Sequence, residues 1–363
     1  MKVVIIGAGV AGLAIGWRLA QARADVTILE RSQPGSGATG AAAGMIAVTA
    51  ELADAHAAEI EFARYANQLW PAFAEEVEDV SDHATGYCRN GALILAPDEA
   101  ALARLARRAA EPGLTMLDPS QLRDLAPQVT SPQAGALWSS QEALVDNKAL
   151  AAALAIAARR AGVRLSSNEA VVRIERKGGR AAIAHTPVGL HHADVFLMAA
   201  GAWSGLIEPE LAPITPIKGE MIALMPPAGQ QPPVSISPVI WGNGIYAVPR
   251  GELLMIGATV QNAGFDTSLT DAARDDLRAR AEALMPGLRD CSLVDHWAGL
   301  RPRSPDGLPL LGPTAQDGLW LAGGQFRNGI LFAPAIAESI AAQILGKALP
   351  VPAFDPRRFG PQK

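Results

Sequence analysis

Apolar positions follow three rhythms along this chain. The first is unbroken: VVII (3–6) is a β-branched run, which predicts a strand buried on both faces. The second repeats every three to four residues. VAGLAIGWRLAQA reads as a helix after that strand, and LADAHAAEIEFARYANQLWPAFAEEV as a long amphipathic one. In the latter, Phe62, Tyr65, Leu69 and Phe73 form the expected core stripe, and Glu59 and Glu61 a solvated face. Helices are expected near 51–78, 98–110, 119–124 and 147–161, and DAARDDLRARAEALM as a charged surface helix. The third rhythm alternates. EMIALMP, ISPVIWGN, GIYAVPR and ELLMIGAT predict an antiparallel sheet. Near the end, LWLAGG and then AIAESIAAQIL return to strand, glycine and helix.

The first strand–helix junction carries chemistry. GAGVAG places Gly7, Gly9 and Gly12 in a G-x-G-x-x-G pattern, and the next strand, VTILE, ends in Glu30, 18 positions after Gly12. Gly7 permits a tight turn. Gly9 lets backbone approach a pyrophosphate, with Val10 and Ala11 opening the helix. Gly12 lets helix and strand pack closely. Free N–H groups at the helix start suit phosphates, and Glu30 suits ribose hydroxyls. Strand, glycines, helix and acid in register predict a dinucleotide site. They do not choose between NAD and FAD.

The fold expected is α/β plus antiparallel β. A discontinuous Rossmann-like domain (1–82, 142–212 and 295–363) receives an inserted, mostly antiparallel substrate domain (83–141 and 213–294). Composition narrows the picture. Of 363 residues, 49% are hydrophobic, enough for a large core, and no low-complexity tract interrupts them. A net charge of −5 disfavours a nucleic-acid surface. Cys88 and Cys291 form no CxxC, so no metal or disulfide framework is indicated, and a reduced, cytoplasmic setting fits. The apolar N-terminus is broken by glycines and closed by Arg18. It reads as folded structure rather than a signal peptide or membrane span.

After Glu30 and Arg31 comes a small, glycine-rich stretch through Ala38, Thr39, Ala43, Gly44 and Met45. This stretch resembles the D-amino-acid oxidase family of flavoproteins, particularly its glycine-oxidase branch. So do AAGAWS (199–204), PIKGEM (216–221), YAVPR (246–250), IGAT (256–259), WAGLRPRSPDGLPLLG (297–312) and GQFRNGILFAP (324–334). The resemblance implies noncovalent FAD, since no cysteine stands near the C-terminal motif. It implies cofactor contacts at Thr39 and at 43–45, and at Val171 beside the adenosine end. It also implies a homotetramer, and a small amino-acid substrate oxidised with O2 as acceptor. Glycine, sarcosine or D-alanine would give an imine, then a 2-oxo acid and ammonia, with hydrogen peroxide. The imine would supply the thiazole of thiamine.

Such chemistry needs a receptor for a carboxylate, and a planar arginine fork is the best one. Arg301, stiffened by Pro302, is the first candidate, and Tyr246 can add a hydroxyl. The segment Gln325, Phe326, Arg327, Asn328, Gly329, Ile330 and Leu331 enters a helix. Its N-terminus would stabilise negative charge at the flavin N1–C2 edge, with Arg327 at the rim adding positive potential toward the substrate. Arg303 reads as surface, Arg250 as a structural salt bridge, and Lys218 as a partner of Glu220. The six histidines read as structural. Gln325, Gly40 and Val260 stand where the glycine-oxidase pattern favours histidine, serine and methionine. Two rivals remain open: an amine dehydrogenase using a quinone or carrier, and a flavin-binding module of an RNA-modifying protein.

Overall fold

The computed structural model describes residues 1–52, 55–210, 212–227 and 238–359. Two sheets dominate. The first has six strands ordered Leu310–Pro313, Leu319–Gly323, Val195–Met198, Lys2–Ile6, Asp25–Leu29 and Arg164–Ser166. All neighbours are parallel except the first pair. Residues 3–6 are buried, as an unbroken apolar run at a sheet centre requires. Helices Val10–Gln21, Asn147–Arg160 and Gly329–Ile344 pack together on one face with the long helix Ala57–Ser81. On the opposite face lies a three-stranded sheet, Arg173–Lys177, Arg180–Thr186 and Gly189–His192, whose buried residues Ile174 and Ala184 pack with Val4 and Phe196.

The second sheet has eight strands, ordered Ser292–Arg303, Thr215–Met225, Leu253–Gly257, Ile245–Arg250, Val239–Gly242, Ala92–Ala96, Gly135–Ser139 and Leu114–Leu117. It is antiparallel apart from one pair, Val239–Gly242 with Ala92–Ala96. The expected boundary at 294/295 falls inside the strand Ser292–Arg303, which pairs with Thr215–Met225 as far as Arg303. Arg301 therefore belongs to this sheet. Of ISPVIWGN, Ile236 and Ser237 lie outside the described residues, as do positions 53 and 54 of the stretch expected to form the long helix, which runs over Ala57–Ser81.

That helix corrects two expectations. Tyr65 is 45% exposed and its hydroxyl donates to Glu338 at 2.8 Å. The buried stripe runs instead through Phe62, Ala66, Trp70, Phe73 and Val77, one side of a 3.6-residue repeat that leaves Tyr65 behind. Glu59 is not on a solvated face. It is 8% exposed and accepts from Asn328 Nδ2 at 3.1 Å, and burial holds its carboxyl above the usual range.

Candidate active site

Between the two sheets lies a cavity of about 890 Å³. One end is built from backbone. Gly7 has φ +108°, and a Cβ there would stand 2.5 Å from the Ala199 carbonyl oxygen. At Gly12 a Cβ would fall 2.0 Å from the oxygen of Gly7, so this glycine closes the turn against the helix and does not itself line the cavity. Gly9, Val10 and Ala11 do line it, at a helix start that no side chain of the N-cap residue bonds. Thr39 instead accepts from the Val10 N–H at 3.0 Å. The carboxylate of Glu30 accepts from the Ala8 and Ser32 N–H groups at 2.8 and 2.9 Å, which fixes it on the cavity wall with further lone pairs free. Arg31 lies 3.6 Å over the Trp203 ring, also on the wall. Val171 lines the same end, just before its strand.

The stretch after Glu30 forms the floor. Ala38, Thr39, Ala43, Gly44 and Met45 all line the cavity. At Gly40 a Cβ would meet the Gly35 carbonyl oxygen at 2.6 Å, so this loop is closed too tightly for the serine favoured elsewhere. A polar clamp from the second sheet holds the floor. Arg250 donates to the Asn147 side-chain oxygen and, at 2.5 Å, to the Ala43 carbonyl. Asn147 donates in turn to the carbonyls of Thr39 and Gly40, at 2.7 and 2.9 Å. The expected salt bridge of Arg250 is thus mainly a set of hydrogen bonds, with Asp146 at 4.0 Å. Lys218 does pair with Glu220, at 3.0 Å, both buried. Arg303 is exposed.

Gln325, Phe326, Arg327, Asn328, Gly329 and Ile330 line the opposite wall, where the helix Gly329–Ile344 starts without a side-chain cap. Its first N–H groups have no partner within the helix, the geometry an electron-rich ring edge needs. Leu331 departs from expectation. It is 2% exposed, packs in the core, and its carbonyl accepts from Trp70 Nε1 at 2.9 Å. Two buried donors without a protein partner, Gln325 Nε2 and Trp241 Nε1, belong to residues of the cavity wall.

The residue chemistry changes at the second sheet. Arg301 and Tyr246 come from the strands Ser292–Arg303 and Ile245–Arg250 and meet in the cavity. The Arg301 guanidinium lies flat across Gly219, where a Cβ would come within 2.1 Å of Nη1, and donates to the Thr259 carbonyl at 3.1 Å. The Tyr246 hydroxyl lies 3.6 Å from Met221 Sδ, and burial raises its ionisation above the usual range against the pull of Arg301. Arg327 reaches Glu51 at 3.5 Å. Glu51 escaped the sequence reading. It is the acid in an otherwise small and apolar run, MIAVTAEL, and that isolation was the available signal. Burial holds its carboxyl above the usual range despite Arg327 and Arg301. Val260 stands half exposed on the wall of the same cavity. None of the six histidines lines it.

A glycine cradle, an acid fixed for a ribose, an uncapped helix start and a small-residue floor fit FAD. The chain matches the family described as FAD dependent oxidoreductase (DAO) over residues 2–343. It is 34% identical to the glycine oxidase of Pseudomonas aeruginosa, covering 99% of this chain and 98% of that one. It is 35% identical to the bifunctional protein ThiO/ThiG of Trichormus variabilis over 93% of this chain, and spans about half (52%) of that longer protein. The crystal structure of glycine oxidase from Geobacillus kaustophilus superposes with a TM-score of 0.91 at 31% identity, covering 98% of both chains. The cradle that GAGVAG and Glu30 announce is thus part of a full-length match, and the chain belongs to the DAO family of FAD-dependent oxidoreductases.

Proposed function

We propose that this protein oxidises glycine, or a similarly small amine or D-amino acid such as sarcosine or D-alanine. One observation carries the reading: Arg301 and Tyr246 stand together in the cavity that also holds the dinucleotide cradle. FAD, when bound, supplies the acceptor for a hydride from the substrate α-carbon. The chain does the rest. The Arg301 fork grips the substrate carboxylate with two charge-assisted bonds, each contributing about 1.5–3 kcal/mol. Tyr246, kept protonated by its surroundings, donates a further hydrogen bond. Arg327 adds positive potential at the rim, and Glu51, which engages it, tempers that potential. The absence of a side chain at Gly219 lets the Arg301 guanidinium lie against the strand, and the small Ala258 stands on the same wall.

With the substrate amine neutral, hydride loss leaves an iminium, which sheds a proton and hydrolyses to a 2-oxo acid and ammonia. Oxygen is the proposed final acceptor, giving hydrogen peroxide. The ThiO/ThiG relatives support the further reading that the imine serves thiamine synthesis. A cytoplasmic homotetramer remains part of the same proposal. Among the described residues no helix is long and apolar enough to cross a membrane.

The test is the visible spectrum of the FAD-loaded protein without oxygen. Bleaching on glycine, with colour and peroxide returning on aeration, supports the proposal. Bleaching only with larger D-amino acids moves the substrate. No bleaching with any amine sinks it.

A further inference from the structure

Glu51 sits on a four-residue helical turn, Val48–Glu51, and that turn is held from behind. Thr49 donates its N–H to the Glu142 carboxylate at 2.5 Å, and its carbonyl accepts from Arg108 Nη1 at 2.5 Å. Its hydroxyl lies 3.3 Å from that of Ser139. Glu142 is 2% exposed, does not line the cavity, and has one oxygen, Oε2, without a partner. A carboxylate so placed would ordinarily be expelled from a core. Here it lies beside the turn that carries Glu51, the acid that engages Arg327.

We propose that Glu142 is a positioning residue for the substrate end: through Thr49 it sets where Glu51 lies, and through its charge it sets how freely Glu51 can oppose Arg327. The inference rests on the reading of this end as a carboxylate-binding site. Two buried acids this close do not ionise independently. The charged groups facing Glu142 are Glu51 from the turn and Arg108 beyond the helix Glu99–Ala106, with Glu111 behind Arg108 at 3.1 Å. Burial, with Glu51 adding to it, raises the Glu142 carboxyl to about 7, against the Thr49 hydrogen bonds and Arg108. Near neutrality, then, the proton at Glu142 sets how much negative charge stands behind the site. More negative charge there weakens the hold on an anionic substrate.

The experiment measures the Kd of acetate, a carboxylate without an amine, on the FAD-loaded protein by titration calorimetry between pH 6 and 8.5. Acetate stays charged throughout that range. The wild type is expected to bind about three- to tenfold more weakly above the step at about pH 7 than below it. Glu142→Gln, with melting to verify its fold, is expected to bind with no step. Arg108→Met leaves Glu142 in place and is expected to move the step to higher pH, because a cation that favours the charged carboxylate is gone. A step that persists in Glu142→Gln, or that stays put in Arg108→Met, overturns the role of Glu142. Acetate binding with no step in the wild type does the same while leaving the carboxylate site standing. No acetate binding at any pH removes the carboxylate site and this inference together.

Discussion

The two ends of the cavity are built on different principles. The cofactor end is mostly backbone: a positive-φ glycine, two helix starts, and a floor of small residues whose carbonyls are tied down by Asn147. The substrate end is side chains: two arginines, a tyrosine and a glutamate delivered by four separate segments. A backbone site tolerates little at its tightest points, because a Cβ at Gly7 or Gly44 would run into a main-chain carbonyl. A side-chain site can be retuned one residue at a time. That contrast separates the part of the cavity that suits the cofactor from the part that would decide the substrate.

Substitutions can break the contrast. The largest effect is expected at Arg301. Arg301→Met should lower kcat/KM for the preferred substrate by about 10²–10⁴, from two lost charge-assisted bonds, with flavin content unchanged. Steady-state kinetics beside a flavin spectrum check it. Loss of flavin in this variant would mean that the two ends are not separable. Gly7→Ala should do the reverse. A left-handed position and a 2.5 Å approach to Ala199 predict a loss of about 3 kcal/mol or more, read as failure to retain FAD on gel filtration.

Glu142 sharpens the comparison, since it serves the substrate end from inside the core. Its carboxyl is raised from 4.5 to about 7, so its contribution to stability is fully present below about pH 4.5 and is lost as pH rises toward 7. Over that window the loss is on the order of 3 kcal/mol. Denaturant melts at pH 5 and pH 8 should show Glu142→Gln gaining on the wild type at the higher pH. The smallest effect is expected at Tyr246. Tyr246→Phe removes one hydrogen bond and should raise KM by about fivefold to tenfold, with kcat little changed, in the same assay.

The sequence announces the cofactor end because its signal is local. GAGVAG, the strand before it and Glu30 lie within thirty residues, and the turn geometry admits little but glycine. Gly12 braces the turn, as the close helix–strand packing expected of it requires, while Leu331 belongs to the C-terminal motif yet packs one layer behind the cavity wall. At the substrate end Arg301, Tyr246 and Arg327 are legible, from the need for a carboxylate receptor together with the family resemblance, and all three line the cavity. Glu51 and Glu142 are 91 positions apart and meet through a single main-chain N–H, that of Thr49, a pairing no period or spacing encodes. Glu59 misled for the same reason. Its partner, Asn328, lies 269 residues away.

The stacking of Arg31 on Trp203 gives the molecule its own optical gauge. The indole stands on the cavity wall at the cofactor end, and a second indole, Trp241, stands on the wall beside Tyr246. Each is an intrinsic fluorophore at one end of the cavity. Filling the first end should quench Trp203 and filling the second should perturb Trp241, so two single-tryptophan replacements would let emission alone report which compartment is occupied, and in what order.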